Sequence, residues 1–170
     1  DPLAQCILIS KNKNILDETK KEVLKQLKEL PRSSIAKKSL MMNGIFIQAN
    51  SDKKIIEIIN KIGPEHLELN VKNYKYFAGK IKNSGSVCLG KYAVMAMTDY
   101  GVPGSNHVLP TNTTSKFSSG LNVSEFMKKI SYITLSKKGI DKLGPSAITL
   151  ANYEGLHGHA QSIIKRIRRK

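Results

Sequence analysis

The first ninety residues alternate between short apolar runs and helix-like patterns, and this alternation limits the folds open to the chain. The apolar runs are too short for helices and predict strands, at residues 6–10, 45–48, 66–71 and 86–90. The segments between them predict helices from apolar spacing, polar caps and terminal glycines, at residues 15–30, 33–44, 51–62 and 73–83. Strands that alternate with helices predict an α/β fold with a mostly parallel sheet, in which ligands bind beyond the carboxyl ends of the strands.

The second half of the chain has a different character. Residues 98–120 are rich in Gly, Pro, Ser, Thr and Asn and have no clear periodicity, which is typical of a functional loop or a linker. From Leu121 onward the pattern is mostly helical, which predicts a domain boundary near this residue. The predicted elements are a Ser-capped turn, a brief strand and two helices, at residues 123–131, 132–136, 144–155 and 157–169.

Length and cysteine usage limit the class of protein. A chain of 170 residues that is 40% hydrophobic is long enough for one sizeable core, and it has no apolar run of membrane-spanning length. Cys6 and Cys88 lie in apolar runs and do not form a disulfide framework, so we expect a reducing, cytoplasmic location without a membrane partner. The start at Asp1-Pro2, with no initiator Met and no signal peptide, is what we expect at the edge of a fragment.

The net charge of +15 has two interpretations, a nucleic-acid partner or a composition biased towards lysine. The lysines are scattered, and several fall on the polar faces of predicted helices. The compact basic cluster at residues 163–170 has no aromatic residues among its charges, and aromatics are only 6% of the chain. The pattern therefore favours lysine bias and no nucleic-acid partner.

Glu65 and His66 stand side by side in "GPEHLEL", residues 63–69. Neighbouring strand residues point to opposite faces, but the backbone after Gly63-Pro64 need not be regular, and both side chains can reach one pocket. Histidine titrates near neutrality and suits general acid–base chemistry, and a neighbouring glutamate can orient it or polarise a water. The alternative is a surface pair at a turn, and the local sequence leaves both interpretations open.

Other candidate ligands lie at element ends or in loops: Asp99, His107, Glu154, His157 and His159. Carboxylate and imidazole groups are suitable zinc ligands. However, His157 and His159 are two residues apart, which is poor spacing for one helical face. No local run matches a zinc finger or an HExxH motif, so any metal would need ligands from distant parts of the sequence.

Four motifs in order resemble the C-terminal part of histidinol dehydrogenases. They are "GPEHLEL", "DYGVPGSNHVLPT", "FSSGLNVSEFMKK" and "EGLHGHAQSI", at close to the spacing of that family. The opening "DPLAQCILIS" resembles the stretch that follows the family's "QAEH" zinc-binding segment, so the resemblance covers essentially the whole chain. It implies that residues 1–121 are the C-terminal segment of a large Rossmann-like α/β catalytic domain. Residues 122–170 would then be a helical tail domain involved in dimerisation.

The resemblance also implies a reaction. Members of the family oxidise L-histidinol through histidinal to L-histidine, the last step of histidine biosynthesis, as zinc-dependent homodimers that use NAD. His66 matches the catalytic base, and Glu65 matches the glutamate that helps to activate water. Asp99 and His159 match zinc ligands, and the His159 equivalent reaches into the site of the partner subunit. The residues implied to bind substrate are His66, Asp99, His107, Glu154 and His159.

The sequence departs from the family pattern in two ways, and these affect the activity expected of the chain. The loop from Asp99 to His107 is one residue longer than usual. The other two zinc ligands and the NAD-binding segment are expected outside this chain, so we expect that the chain alone does not turn over histidinol. Two alternatives stay open: a non-catalytic remnant or split half that needs a complementary chain, and a basic nucleic-acid-binding module.

Overall fold

The computed structural model describes residues 1–101 and 106–167. Four strands lie within them: β1 (Ile7–Ser10), β2 (Ile45–Gln48), β3 (His66–Leu69) and β4 (Ser86–Leu89). Seven α-helices lie there too: α1 (Lys13–Gln26), α2 (Ser33–Asn43), α3 (Asp52–Ile62), α4 (Tyr74–Ala78), α5 (Met95–Tyr100), α6 (Lys137–Tyr153) and α7 (His157–Ile167). Two 3₁₀ segments occupy Thr114–Lys116 and Val123–Phe126.

The strands pair in parallel, which confirms the predicted α/β class. Within the described residues there are two two-stranded sheets, β1 with β2 and β3 with β4. Ile7 lies opposite Ile45 in the first sheet, and His66 lies opposite Ser86 in the second. Parallel neighbours need a crossover connection, and helices supply it here: α1 and α2 link β1 to β2, and α4 links β3 to β4.

Helix α3 supplies much of the hydrophobic core. Its isoleucines, Ile55, Ile56 and Ile59, are buried together with Leu69 of β3 and Phe77 of α4. Ser51 begins the helix by accepting a hydrogen bond from the Lys54 amide, and Gly63 ends it in the left-handed conformation at φ +61°. The "GPEHLEL" segment therefore begins at Gly63, where α3 ends, and α3 itself is anchored by its buried isoleucines.

Strand β3 divides its side chains between two faces. Leu67 and Leu69 pack with the core cluster. His66 and Glu68 alternate with them and lie on the opposite face. Burial of the leucines thus determines which face carries the polar side chains.

The chain divides into two compact units, Asp1–Phe126 and Met127–Lys170. The predicted boundary near Leu121 falls inside the first unit. The assignment of the tail to dimerisation stays a prediction.

The second unit contains a helical hairpin of α6 and α7. Small residues lie buried where the helices meet, namely Gly144 and Ala151 on α6 and Ala160 on α7. Helix α6 begins at Lys137, earlier than the predicted start at residue 144, because Ser136 caps it by accepting a hydrogen bond from the Gly139 amide. Pro145 lies inside α6 and does not end it.

Local predictions between residues 123 and 136 differ from the structure. Residues 132–136 form no strand, because no neighbouring strand of the described residues pairs with them. The Ser-capped turn at 123–131 is only the short 3₁₀ segment Val123–Phe126. The predicted helix 157–169 is α7 as far as Ile167, and its last two residues lie outside the described ranges.

No helix of the described ranges is both long enough and apolar enough to cross a membrane.

Candidate functional site

The backbone of Pro64 and Glu65 is held against the start of β4 before β3 begins. The Gly85 amide donates to the Pro64 carbonyl at 2.9 Å, and the Ser86 amide donates to the Glu65 carbonyl at 2.8 Å. These bonds continue the β3–β4 ladder toward the N-terminus of β3. Glu65 is therefore positioned by the sheet although it precedes the strand.

Gly85 allows this close approach. A Cβ at Gly85 would lie 2.7 Å from the Glu65 carbonyl oxygen and 3.1 Å from Cδ of Pro110. The first contact is with backbone that already accepts a hydrogen bond, so neither partner can easily move. In the sequence, Gly85 is marked only by its position directly before a predicted strand.

The side chains of Glu65 and His66 converge despite being neighbours in sequence. His66 Nδ1 lies 3.9 Å from Glu65 Oε1, which is longer than a hydrogen bond but within range of charge attraction once the ring is protonated. The His66 side chain is 26% exposed and the Glu65 side chain 40% exposed. The imidazole can therefore reach a bound molecule and exchange a proton with it, beside a carboxylate.

A second pair forms at Asp99 and His107. Asp99 lies on α5, a helix that the sequence did not predict, and His107 lies outside the helices and strands. His107 Nδ1 is 3.8 Å from Asp99 Oδ1; the carboxylate is 25% exposed and the imidazole 64% exposed. The structure thus places close together two of the residues that the family resemblance implied to bind substrate.

Glu154 and His159 belong to the second unit, at the turn of the helical hairpin. Glu154 follows the last residue of α6, and Gly155 turns the chain at φ +73°. The Leu156 amide donates to the Ala151 carbonyl at 2.7 Å, which closes the turn. Glu154 and His159 are exposed at this corner, and His157 Nδ1 lies 3.3 Å from the Asn152 side-chain oxygen.

The donor chemistry fits a zinc ion, and the local geometry is incomplete. Asp99 offers a carboxylate oxygen and His107 offers an imidazole nitrogen. Both groups are common zinc donors. Among residues 1–101 and 106–167, no three His, Cys, Asp or Glu side chains cluster closely enough to hold a metal ion. A zinc ion at Asp99 would therefore need donors beyond this pair.

Glu68 is a further residue of this region, and no motif in the sequence assigns it a role. Its Oε1 accepts a hydrogen bond of 2.6 Å from the amide of Met95, the first residue of α5. The alternation in "HLEL" was the available signal, since it places Glu68 on the same face as His66.

Comparison with known proteins decides the family. The family model described as "Histidinol dehydrogenase" matches residues 1–167. The chain belongs to the histidinol dehydrogenase family. This confirms the resemblance that the four sequence motifs indicated.

Curated relatives cover nearly the whole chain. The histidinol dehydrogenase of Pelagibacter ubique is 69% identical over 170 residues, which is 100% of this chain and 40% of that protein. The histidinol dehydrogenase of Methanocaldococcus jannaschii is 39% identical over 168 residues, which is 99% of this chain and 38% of that protein. This chain therefore spans about 40% of the length of the relatives that it matches.

A solved structure shows the same fold. The crystal structure of histidinol dehydrogenase from Elizabethkingia anophelis matches with a TM-score of 0.78 at 36% identity. The match covers 96% of this chain and 37% of that one. The arrangement of strands and helices described above is thus that of a segment of a histidinol dehydrogenase.

Proposed function

We propose that this chain supplies part of the active site of a histidinol dehydrogenase that oxidises L-histidinol through histidinal to L-histidine. Family membership supports the proposal, and the observation that carries it is the convergence of Glu65 and His66 at the start of β3. In a family of dehydrogenases, a partly exposed imidazole beside a carboxylate has the chemistry of a proton acceptor for an alcohol.

His66 serves as the general base in both oxidations. In the first, it takes the hydroxyl proton of histidinol while the carbon loses a hydride and the aldehyde forms. In the second, Glu65 orients a water that adds to the aldehyde, and His66 takes a proton from the resulting diol as the carbon loses a second hydride. Each step then balances as one proton and one hydride removed. His66 then passes its proton to solvent, with Glu65 Oε1 3.9 Å from Nδ1.

Asp99 and His159 are the proposed zinc ligands of this chain, and His107 and Glu154 the proposed substrate contacts. When bound, zinc supplies a Lewis-acidic centre without redox chemistry that can hold the nitrogen atoms of histidinol, and NAD supplies the hydride acceptor. The partly exposed carboxylate of Asp99 can accept a cation while His107 remains free to contact the substrate. The remaining donors and the NAD-binding residues are proposed to come from outside this chain.

We further propose that the working enzyme is a cytoplasmic homodimer in which the helical tail, residues 122–170, contributes His159 to the site of the partner. The exposed position of His159 at the corner of the α6–α7 hairpin supports this role, since the side chain is accessible.

A chimera tests the function. This chain replaces the corresponding segment of the Pelagibacter ubique enzyme, and NADH formation from L-histidinol is followed for the chimera and for the chain alone. We expect turnover by the chimera and none by the chain alone. His66→Asn in the chimera should lower kcat by about 10²–10⁴-fold, the usual range for loss of a general base, and Glu65→Gln should also lower it.

His157→Asn is the matched control and should keep parental turnover, because His157 is a histidine of the hairpin that has no proposed role. A folded chimera without activity would contradict the proposed function and favour a non-catalytic remnant. Turnover by the chain alone would contradict the need for residues outside it.

A further inference from the structure

The strand that carries His66 also holds the helix that carries Asp99. Glu68 is two residues beyond His66 on the same face of β3, opposite the face whose leucines pack into the core. Its carboxylate accepts the 2.6 Å hydrogen bond from the Met95 amide at the start of α5. The Glu68 side chain therefore connects β3, which carries the proposed proton acceptor His66, to α5, which carries the proposed zinc ligand Asp99.

Helix α5 lacks a cap of its own. Val94 occupies the N-cap position and has no side-chain oxygen, and the first turn contains no acidic residue. The first amides of a helix need hydrogen-bond acceptors, and here the helix itself supplies none. Because a helix of six residues is too short to be stable in isolation, an acceptor from β3 also helps to determine where α5 forms.

A second observation places Glu68 and Asp99 in one neighbourhood. Cys88 of β4 is the register partner of Glu68 and is buried. Burial raises the pKa of the Cys88 thiol, and the charges of Glu68 and Asp99 raise it further. Both carboxylates therefore act on the same thiol, and α5 also packs against β3.

We propose that Glu68 is a positioning residue that caps α5 and so sets the place of Asp99 relative to His66. Glu68 acts through the backbone of α5 and contacts neither substrate nor metal. The inference rests on the proposed function, because it takes Asp99 to be a zinc ligand.

Zinc affinity in the chimera tests this role. Competition with a chelator gives the Kd for zinc, and steady-state kinetics give kcat and KM for histidinol. Glu68→Ala should raise the zinc Kd by about tenfold. This is the lower end of the range seen when a residue that orients a metal ligand is lost. Glu68→Gln should stay close to the parent, since its amide oxygen still accepts a hydrogen bond from Met95. Glu57→Ala removes another exposed carboxylate, which pairs with Lys54 at 2.9 Å, and should leave the Kd unchanged.

Amide hydrogen exchange gives a readout that does not depend on metal or activity. Glu68→Ala should speed exchange in residues 95–100 and leave the core helix α3 protected, which also shows that the variant is folded. Unchanged exchange together with unchanged zinc affinity would overturn the proposal. Equal losses in Glu68→Gln and Glu68→Ala would overturn it too, because the negative charge and not the hydrogen bond would then be responsible.

Asp99→Ala separates this inference from the proposed function. If Asp99→Ala loses zinc while Glu68→Ala keeps it, only the role of Glu68 is overturned. If Asp99→Ala keeps parental zinc affinity, the proposed zinc assignment fails and the role of Glu68 fails with it.

Discussion

Two buried serines of the first unit differ in what their hydroxyl groups contact. Ser39 on α2 donates to the Ala4 carbonyl at 2.8 Å. Within the described residues, Ser115 Oγ is buried without a hydrogen-bond partner, and a Cβ at Gly63 would lie 2.8 Å from it. A buried hydroxyl that loses its water contacts without a replacement destabilises the fold.

Ser115→Ala should therefore stabilise the protein, by about 1 kcal/mol, because it removes an unsatisfied buried hydroxyl. Ser39→Ala is the matched variant and should lose about 1 kcal/mol, because it deletes a satisfied hydrogen bond and leaves the Ala4 carbonyl with fewer donors. Urea unfolding followed by circular dichroism measures both. Destabilisation by Ser115→Ala would mean that the hydroxyl has a partner in solution.

The two thiols should react at different rates. Cys6 is exposed and Cys88 is buried, and burial, followed by the charges of Glu68 and Asp99, raises the pKa of Cys88. Thiolate is the reactive form, so Cys88 should react with a disulfide reagent at pH 8 at least about tenfold more slowly than Cys6. The rate should increase as pH rises, because the raised pKa keeps the thiol protonated at lower pH.

A Cys6→Ser variant isolates the slow thiol, and unfolding in urea should restore rapid labelling. Fast labelling of Cys88 in the folded Cys6→Ser variant would contradict its burial.

At the scale of elements, the α6–α7 hairpin depends on small residues at the helix contact. A Cβ at Gly144 would lie 2.5 Å from Ile167 Cδ1 and 3.1 Å from Ile163 Cγ2, so the glycine allows α7 to pack closely. A Cβ at Gly158 on the same hairpin would meet nothing within 4 Å. Substitutions at the two glycines therefore distinguish an effect of packing from an effect of helix propensity.

Gly144→Leu should destabilise the hairpin by about 1–3 kcal/mol through overpacking against the two isoleucines. Gly158→Leu adds the same side chain in open space and should be neutral or slightly stabilising, since leucine favours helix more than glycine does. Helical signal during thermal unfolding measures both variants in the whole chain. Equal loss in the two variants would show that bulk on the hairpin, and not the Gly144 contact, is responsible.

At the scale of the whole molecule, a large share of the apolar side chains is exposed. Between residues 117 and 135 the exposed side chains are Phe117, Leu121, Val123, Phe126, Met127, Ile130, Tyr132, Ile133 and Leu135. Phe117 and Phe126 are 83% and 80% exposed. Exposed apolar side chains in this number are often covered by a partner in a working protein.

The chain by itself should therefore self-associate as its concentration rises. Light scattering after size-exclusion chromatography should give a mass above 18.8 kDa at about 100 µM, since burial of apolar surface favours association. Replacing Phe117 and Phe126 with Ser should return the mass toward the monomer. Leu3→Ser is the control, because Leu3 is 74% exposed outside this segment. A monomeric parent chain at this concentration would contradict the prediction.

Much of the candidate site was predictable because it lies beside elements that local sequence defines. The apolar runs predicted all four strands, and Gly63 predicted the end of α3, so the start of β3 was known to carry Glu65 and His66. Helix α5 was missed because its six residues are too few to show helical periodicity. Asp99 was consequently placed before a loop and not on a helix.

The sequence by itself determined the family, the α/β class and the identity of the candidate residues, because motifs and hydrophobic periodicity are local properties of the chain. Only the tertiary structure decided which of these residues meet. The contact between Asp99 and His107, the fit of Gly85 against Glu65 and the cap that Glu68 gives to α5 all join segments separated along the chain. Such contacts depend on the pairing of β3 with β4 and on the core beneath β3, and spacing within a single segment does not encode them.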